Sequence, residues 1–133
     1  MRGCSVREDK GQALFDRVGV WSNRTFGSEA ERGPIGPLKH LVKEALVELL
    51  GYDEKAVNNL LLLPHDRHGV EDLDEYADLQ ILVNDAVRRA GYSWAELMTA
   101  ADAKQAKNET RTYPKPAPGD DTISEHDRSR DNG

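Results

Sequence analysis

Residues 71–91 read EDLDEYADLQILVNDAVRRAG, and this stretch decides the fold. Leu73, Tyr76, Ala77, Leu79, Ile81, Leu82, Val83, Ala86 and Val87 are spaced for a helix and cover most of its circumference. Asp72 and Asp74 open the stretch, where the helix dipole favours acids. Arg88 and Arg89 close it, where the dipole favours bases, and Gly91 is a stop. The pattern predicts a helix from Glu71 to Ala90, apolar enough on all sides to be central in its fold. Glu71, Glu75, Asp78 and Asp85 fall on one narrow stripe of it, with Arg89 on the same line. Acids on a buried helix need a cation or good donors to stay ionised.

Working outward, Ser93 and Glu96 form a capping box for a last helix from Trp94 to about Thr110. Upstream, residues 52–70 form a connection with a short helix over 54–62, broken by Pro64 and Gly69. Before it, Pro37 suits the first turn of a helix that runs from Leu38 to Leu50 and stops at Gly51. Leu14, Phe15, Val18 and Trp21 predict a first short helix over 11–21. The glycines and prolines of Ser22–Pro37 predict a long ordered loop. The expected architecture is all-α, with about four helices. Residues 1–10 read as a polar segment, 11–113 as the domain, and 114–133, rich in Pro, Gly and charge, as a disordered tail.

With 38% hydrophobic and only 6% aromatic residues, a folded part of this size has a modest core. That, and the apolar run Leu60–Leu63 before Pro64, predict completion of the core by a homo-oligomer, a dimer or tetramer. The net charge of −6 argues against non-specific binding to nucleic acid or anionic membranes. There is no long apolar run for a membrane span and no secretory leader pattern. Cys4 is the single cysteine, which excludes an internal disulfide and suits a cytoplasmic setting.

The second helix carries its own acid pair. Leu38, Leu41, Val42, Ala45 and Leu49 form an apolar face, and Glu44 and Glu48, one turn apart, border it. Like charges at this spacing repel by a few tenths of a kcal/mol, roughly, unless neutralised. With Glu75 and Asp78 they make four carboxylates on two helices that can pack antiparallel. All-oxygen sets of this kind suit the hard cations Mg2+ and Mn2+. The competing reading for each pair is a solvated acidic face. His65-Asp66 is the dipeptide of HD phosphohydrolases, but it follows Pro64 in a loop and lacks that family's further ligands. His40 and His68 read as surface or supporting residues.

Glu44 and Glu48, a connection of 26 residues, then Glu75 and Asp78 resemble the signature of the MazG-like all-alpha nucleotide pyrophosphohydrolases. Four further stretches are similar to the phage and bacterial dATP/dGTP pyrophosphohydrolase (MazZ-like) branch. They are WSNRTFG (21–27), GPLKHLVKE (36–44), DEYADLQILVNDAVRRAG (74–91) and KNETRTYP (107–114), in order over about residues 13–114. The family motif opens with two adjacent glutamates, and the second is Ala45 here, which leaves Glu71 or Asp85 as an extra metal ligand.

The resemblance implies a MazG-like bundle and cleavage of a purine dNTP between its α and β phosphates, with Mg2+ or Mn2+ on Glu44, Glu48, Glu75 and Asp78. Glu44 or Glu48 would serve as general base. It also implies a role in phages that replace adenine with 2,6-diaminopurine, where such an enzyme removes dATP and supplies dGMP. Lys104, Lys107 and Arg111 share a face of the last helix and are candidates for the β and γ phosphates. A solvated basic helix end is the alternative. Trp21, Ser22, Asn23, Thr25 and Phe26, with Asn108, offer a surface for stacking on a purine and reading its edge. Ordinary packing of the two rings is the competing reading.

Overall fold

The computed structural model describes residues 9–28, 30–116 and 123. Helix α1 spans Lys10–Phe26, α2 Ile35–Lys43, α3 Glu54–Leu61, α4 Leu73–Arg89 and α5 Trp94–Glu109. Between α2 and α3, Glu44–Leu49 continues α2 as a π-helix. The described residues contain no strand, so the all-α expectation holds. Most of the expected polar segment 1–10 and tail 114–133 lie outside the described residues.

Local chemistry sets the helix ends. The Asp9 carboxylate accepts from the backbone of Gly11 and Gln12, Asp53 from Ala56, and Asp72 from Asp74. The capping box at α5 is present, with Ser93 Oγ accepting from Glu96 N at 3.1 Å and Glu96 Oε1 from Ser93 N at 2.9 Å. At Gly51, φ is +78°, and Tyr52 N bonds back to Leu46 O, closing the π segment in a Schellman-like turn.

Two boundaries differ from expectation. The first helix does not stop at Trp21 but continues through Ser22–Phe26, because no glycine or proline interrupts those residues. The break comes at Gly27, with φ +110° and ψ 158°. The loop is correspondingly shorter, and α2 begins at Ile35 rather than Leu38. Glu71 lies in a turn before the Asp72 cap, so it is not on the helical stripe of α4.

Packing falls into two groups. Helix α2 and its π continuation pack with α3, while α1 packs with α5, and α5 with α4. In the first group Ile35 and Val57 are buried. An apolar cleft of about 370 Å³ opens between the helices, lined by Ile35, Leu38, Val42, Leu60, Leu61 and Leu63. The Lys43 side chain is buried, and its ammonium pairs with Glu54 at 3.1 Å. In the second group α1 and α5 run side by side in the same direction. Gly11 lies against Trp94 and Met98, and Arg17 reaches Asp102 and Glu109.

The expectation that α4 is central fails within one chain. It touches α5 alone and has no buried residue. Leu73, Ile81 and Leu82 are 78%, 62% and 65% exposed. The apolar pattern shows that this helix needs cover on most sides. It does not specify that the same chain supplies that cover.

Candidate functional site

Glu44 and Glu48 project from the π segment. Its bonds skip five residues instead of four, as when Leu50 N donates to Ala45 O at 3.1 Å. A turn therefore holds more residues, and Glu48 stands just short of one turn past Glu44. Both are exposed. His40 Nε2 lies 3.2 Å from Glu44 Oε1, a supporting contact one turn earlier.

Glu75 and Asp78 are exposed on the first two turns of α4. Further along, Asp85 is taken up by its own helix. It accepts from Arg88 Nη2 at 2.9 Å and Arg89 Nε at 3.0 Å. Those bonds, Arg88's foremost, hold its carboxyl below the usual range.

The two acid pairs do not meet within the chain. Helix α4 makes no contact with α2, its π continuation or α3. Among the described residues no three His, Cys, Asp or Glu side chains gather as a metal site. The antiparallel packing expected of the two acidic helices is therefore absent within one chain, which does not by itself present a set that fits a divalent cation. Asp66, beside His65, is held by His68 in a local turn, with Nδ1 at 3.4 Å, so the dipeptide stays a loop feature.

The other half of the expected site does come together. Trp21 and Phe26, at the end of α1, meet Tyr113 just beyond α5. The three ring pairs stand edge to face, with centroids 5.3, 5.5 and 5.2 Å apart. The stretches 21–27 and 107–114, distant in sequence, thus converge. Arg111 follows the helix end, half-buried, with Nη1 3.5 Å from Asn108 Oδ1. Burial pushes the Tyr113 hydroxyl up, and a hydrogen bond with Arg111 works against that shift. Lys104 and Lys107 are exposed on α5, Ser22 and Thr25 are half-buried on α1, and Asn23 is exposed. Tyr113 was not among the residues singled out from the sequence. Its place in the KNETRTYP stretch, beside Arg111, was the available signal.

A family model described as dATP/dGTP pyrophosphohydrolase matches residues 64–131, half of the chain. The chain belongs to the dATP/dGTP pyrophosphohydrolase family. It is accordingly a hydrolase acting on nucleoside triphosphates. Within the span shared with the dATP/dGTP pyrophosphohydrolases lie α4 and α5, with Glu75, Asp78, Lys104, Lys107, Arg111 and Tyr113. Glu44, Glu48 and Trp21 precede it. No curated protein and no solved structure matches the chain. Among the described residues no helix is long and apolar enough to cross a membrane.

Proposed function

We propose that the protein hydrolyses dATP and dGTP between the α and β phosphates, giving a deoxynucleoside monophosphate and pyrophosphate, with Mg2+ or Mn2+. The family match over residues 64–131 carries this reading. Water supplies the oxygen that ends on the α phosphate, and pyrophosphate leaves from the other side. Glu44 or Glu48 takes the proton from that water.

The converged end of α1 and α5 supports the rest of the assignment. Arg111, placed beside Asn108, and the exposed Lys104 and Lys107 answer the charge of the β and γ phosphates. The base lies against the outer surface of the Trp21, Phe26 and Tyr113 cluster, with Ser22, Asn23, Thr25 and Asn108 at its edge. Metal dependence rests on the donor chemistry of Glu44, Glu48, Glu75 and Asp78, all oxygen and all anionic. A bound divalent cation supplies charge neutralisation and a more acidic water. Among the described residues one chain does not gather these acids. In a phage whose genome carries 2,6-diaminopurine, this reaction removes dATP and yields dGMP as precursor.

The test is a panel of the four dNTPs and their ribonucleotide counterparts, with Mg2+ or Mn2+. Monophosphate and pyrophosphate are expected from dATP and dGTP. Rapid cleavage of dCTP or dUTP with purines untouched overturns the base assignment. No turnover of any nucleotide overturns the reaction.

A further inference from the structure

A π turn is rare and occurs mostly as a single turn within an α-helix, often at a functional site. The segment Glu44–Leu49 contains no proline or glycine that would force it. Its cause lies in what the segment is tied to. Lys43 is the last residue of α2 before the π winding, and Glu54 is the first residue of α3. The Lys43 side chain is buried, and its Nζ meets Glu54 Oε2 at 3.1 Å. That contact pins both ends of the stretch 44–53, which holds the π segment and the turn after it. The turn is fixed as well. Gly51 has φ +78°, Tyr52 N donates to Leu46 O at 2.9 Å, and the Asp53 carboxylate accepts from Ala56 N. Between two pinned ends, five-residue bonds take up a residue that an α turn would not hold. The winding then decides where the acids point. In an α-helix Glu48 would stand about 40° past a full turn from Glu44. In the π segment it stands short of a full turn, on the other side of Glu44.

We infer that Lys43 is a positioning residue. Paired with Glu54, it holds the π winding and so sets the angle between Glu44 and Glu48. It reaches across to α3, and it acts on the reaction only through the two acids. Glu54 lies in the first turn of α3, where the helix dipole favours its charge. Its side chain is 59% exposed, so the pair sits at the edge of the packing, where an ion pair adds little stability. A lysine buried for so little stability fits a role in register, the best-attested use of such pairs. The inference rests on the proposed role of Glu44 or Glu48 as general base, but the hold on the winding rests on the geometry alone.

Lys43→Met tests it, because methionine keeps an unbranched apolar stem and removes the ammonium. The variant should melt within a few degrees of the wild type. Its kcat for dATP should fall about tenfold or more, with KM within about twofold. Lys43→Arg keeps a charged donor for Glu54 and should restore most of kcat. The winding is followed without turnover, by NMR couplings across hydrogen bonds in isotope-labelled protein. In the wild type the Leu50 amide nitrogen should couple to the Ala45 carbonyl carbon, across their 3.1 Å bond. In Lys43→Met that coupling should pass to Leu46, the partner in an α-helix. Wild-type kcat in Lys43→Met overturns the inference, and so does a coupling that stays on Ala45. A Lys43→Arg protein as slow as Lys43→Met assigns the loss to packing and overturns it too. Should Lys43→Met fail to fold, Glu54→Gln removes the same pair from its exposed side. It should show the same change in coupling and kcat, and no change in either overturns the inference. If the wild type cleaves no dNTP, the reaction fails, and the couplings alone decide whether the pair holds the winding.

Discussion

Arg17 grips Glu109 through two parallel bonds, Nε to Oε2 and Nη2 to Oε1, each 2.9 Å long and spanning 92 residues of chain. The third nitrogen of the fork holds Asp102. Only a planar guanidinium can make this set, because a lysine ammonium presents one point charge. Arg17→Lys should lower the melting temperature by a few degrees in low salt and by less in high salt, where screening weakens the pair. Thermal scans at two ionic strengths check this. An unchanged melting temperature in both would assign the α1–α5 contact to its apolar part, Gly11 against Trp94 and Met98 together with the ring cluster.

The same pair sets a response to acid. The Glu109 carboxyl lies below its ordinary value of 4.5, chiefly through the Arg17 hydrogen bond, with burial opposing. Folding therefore favours its charged form. The stability it contributes is whole above the ordinary value and is lost as pH falls through the lower folded value. Asp85, held down by Arg88 and Arg89, acts with the same sign from an ordinary 3.8. Melting temperature should be flat above the carboxylate range and decline below it. Glu109→Gln should be less stable at neutral pH and decline less steeply in acid. A steeper decline in the variant contradicts the assignment.

Gly27 ends α1 at φ +110° and ψ 158°, a region closed to side chains in practice. A Cβ there would also lie 3.3 Å from Glu31 Oε1. Gly27→Ala should cost about 1–3 kcal/mol in urea unfolding. A cost near zero would mean that the chain leaves α1 by another route.

Trp21 separates a base platform from a packing cluster. If a purine lies against the outer surface of the three rings, Trp21→Leu raises KM for dATP and dGTP about tenfold, in line with loss of one stacked base. Its kcat changes less. A fall in melting temperature with KM unchanged would leave the rings as packing only.

Glu48→Gln and Asp78→Asn keep side-chain shape and remove charge. Each should lower kcat about a hundredfold or more, with helical circular dichroism preserved. Full activity in both would show that other acids carry the reaction.

Much of this was legible in the sequence wherever one short stretch decides the outcome. Ser93 and Glu96, Asp53, Gly51 and Gly91 fix helix ends by bonds a few residues long, and those ends fall where expected. The Ser22–Pro37 loop was overdrawn because its glycines and prolines begin only at Gly27. Nothing in the residues Glu44–Leu49 announces π winding, since the choice between four- and five-residue bonds depends on what the helix packs against. The meeting of Trp21 with Tyr113 follows the ordered resemblance of their two stretches. The placement of α4 was not legible, because the periodicity of residues 73–89 gives the need for contact but not its source.

The exposed leucines and isoleucine of α4 have a practical consequence for anyone measuring this enzyme. If a second copy covers that surface, the working species depends on how much protein is in the tube. Specific activity should drop on dilution and recover when more of an inactive but correctly folded variant is added. Rates taken at a single low enzyme concentration would then describe an association constant as much as a chemical step.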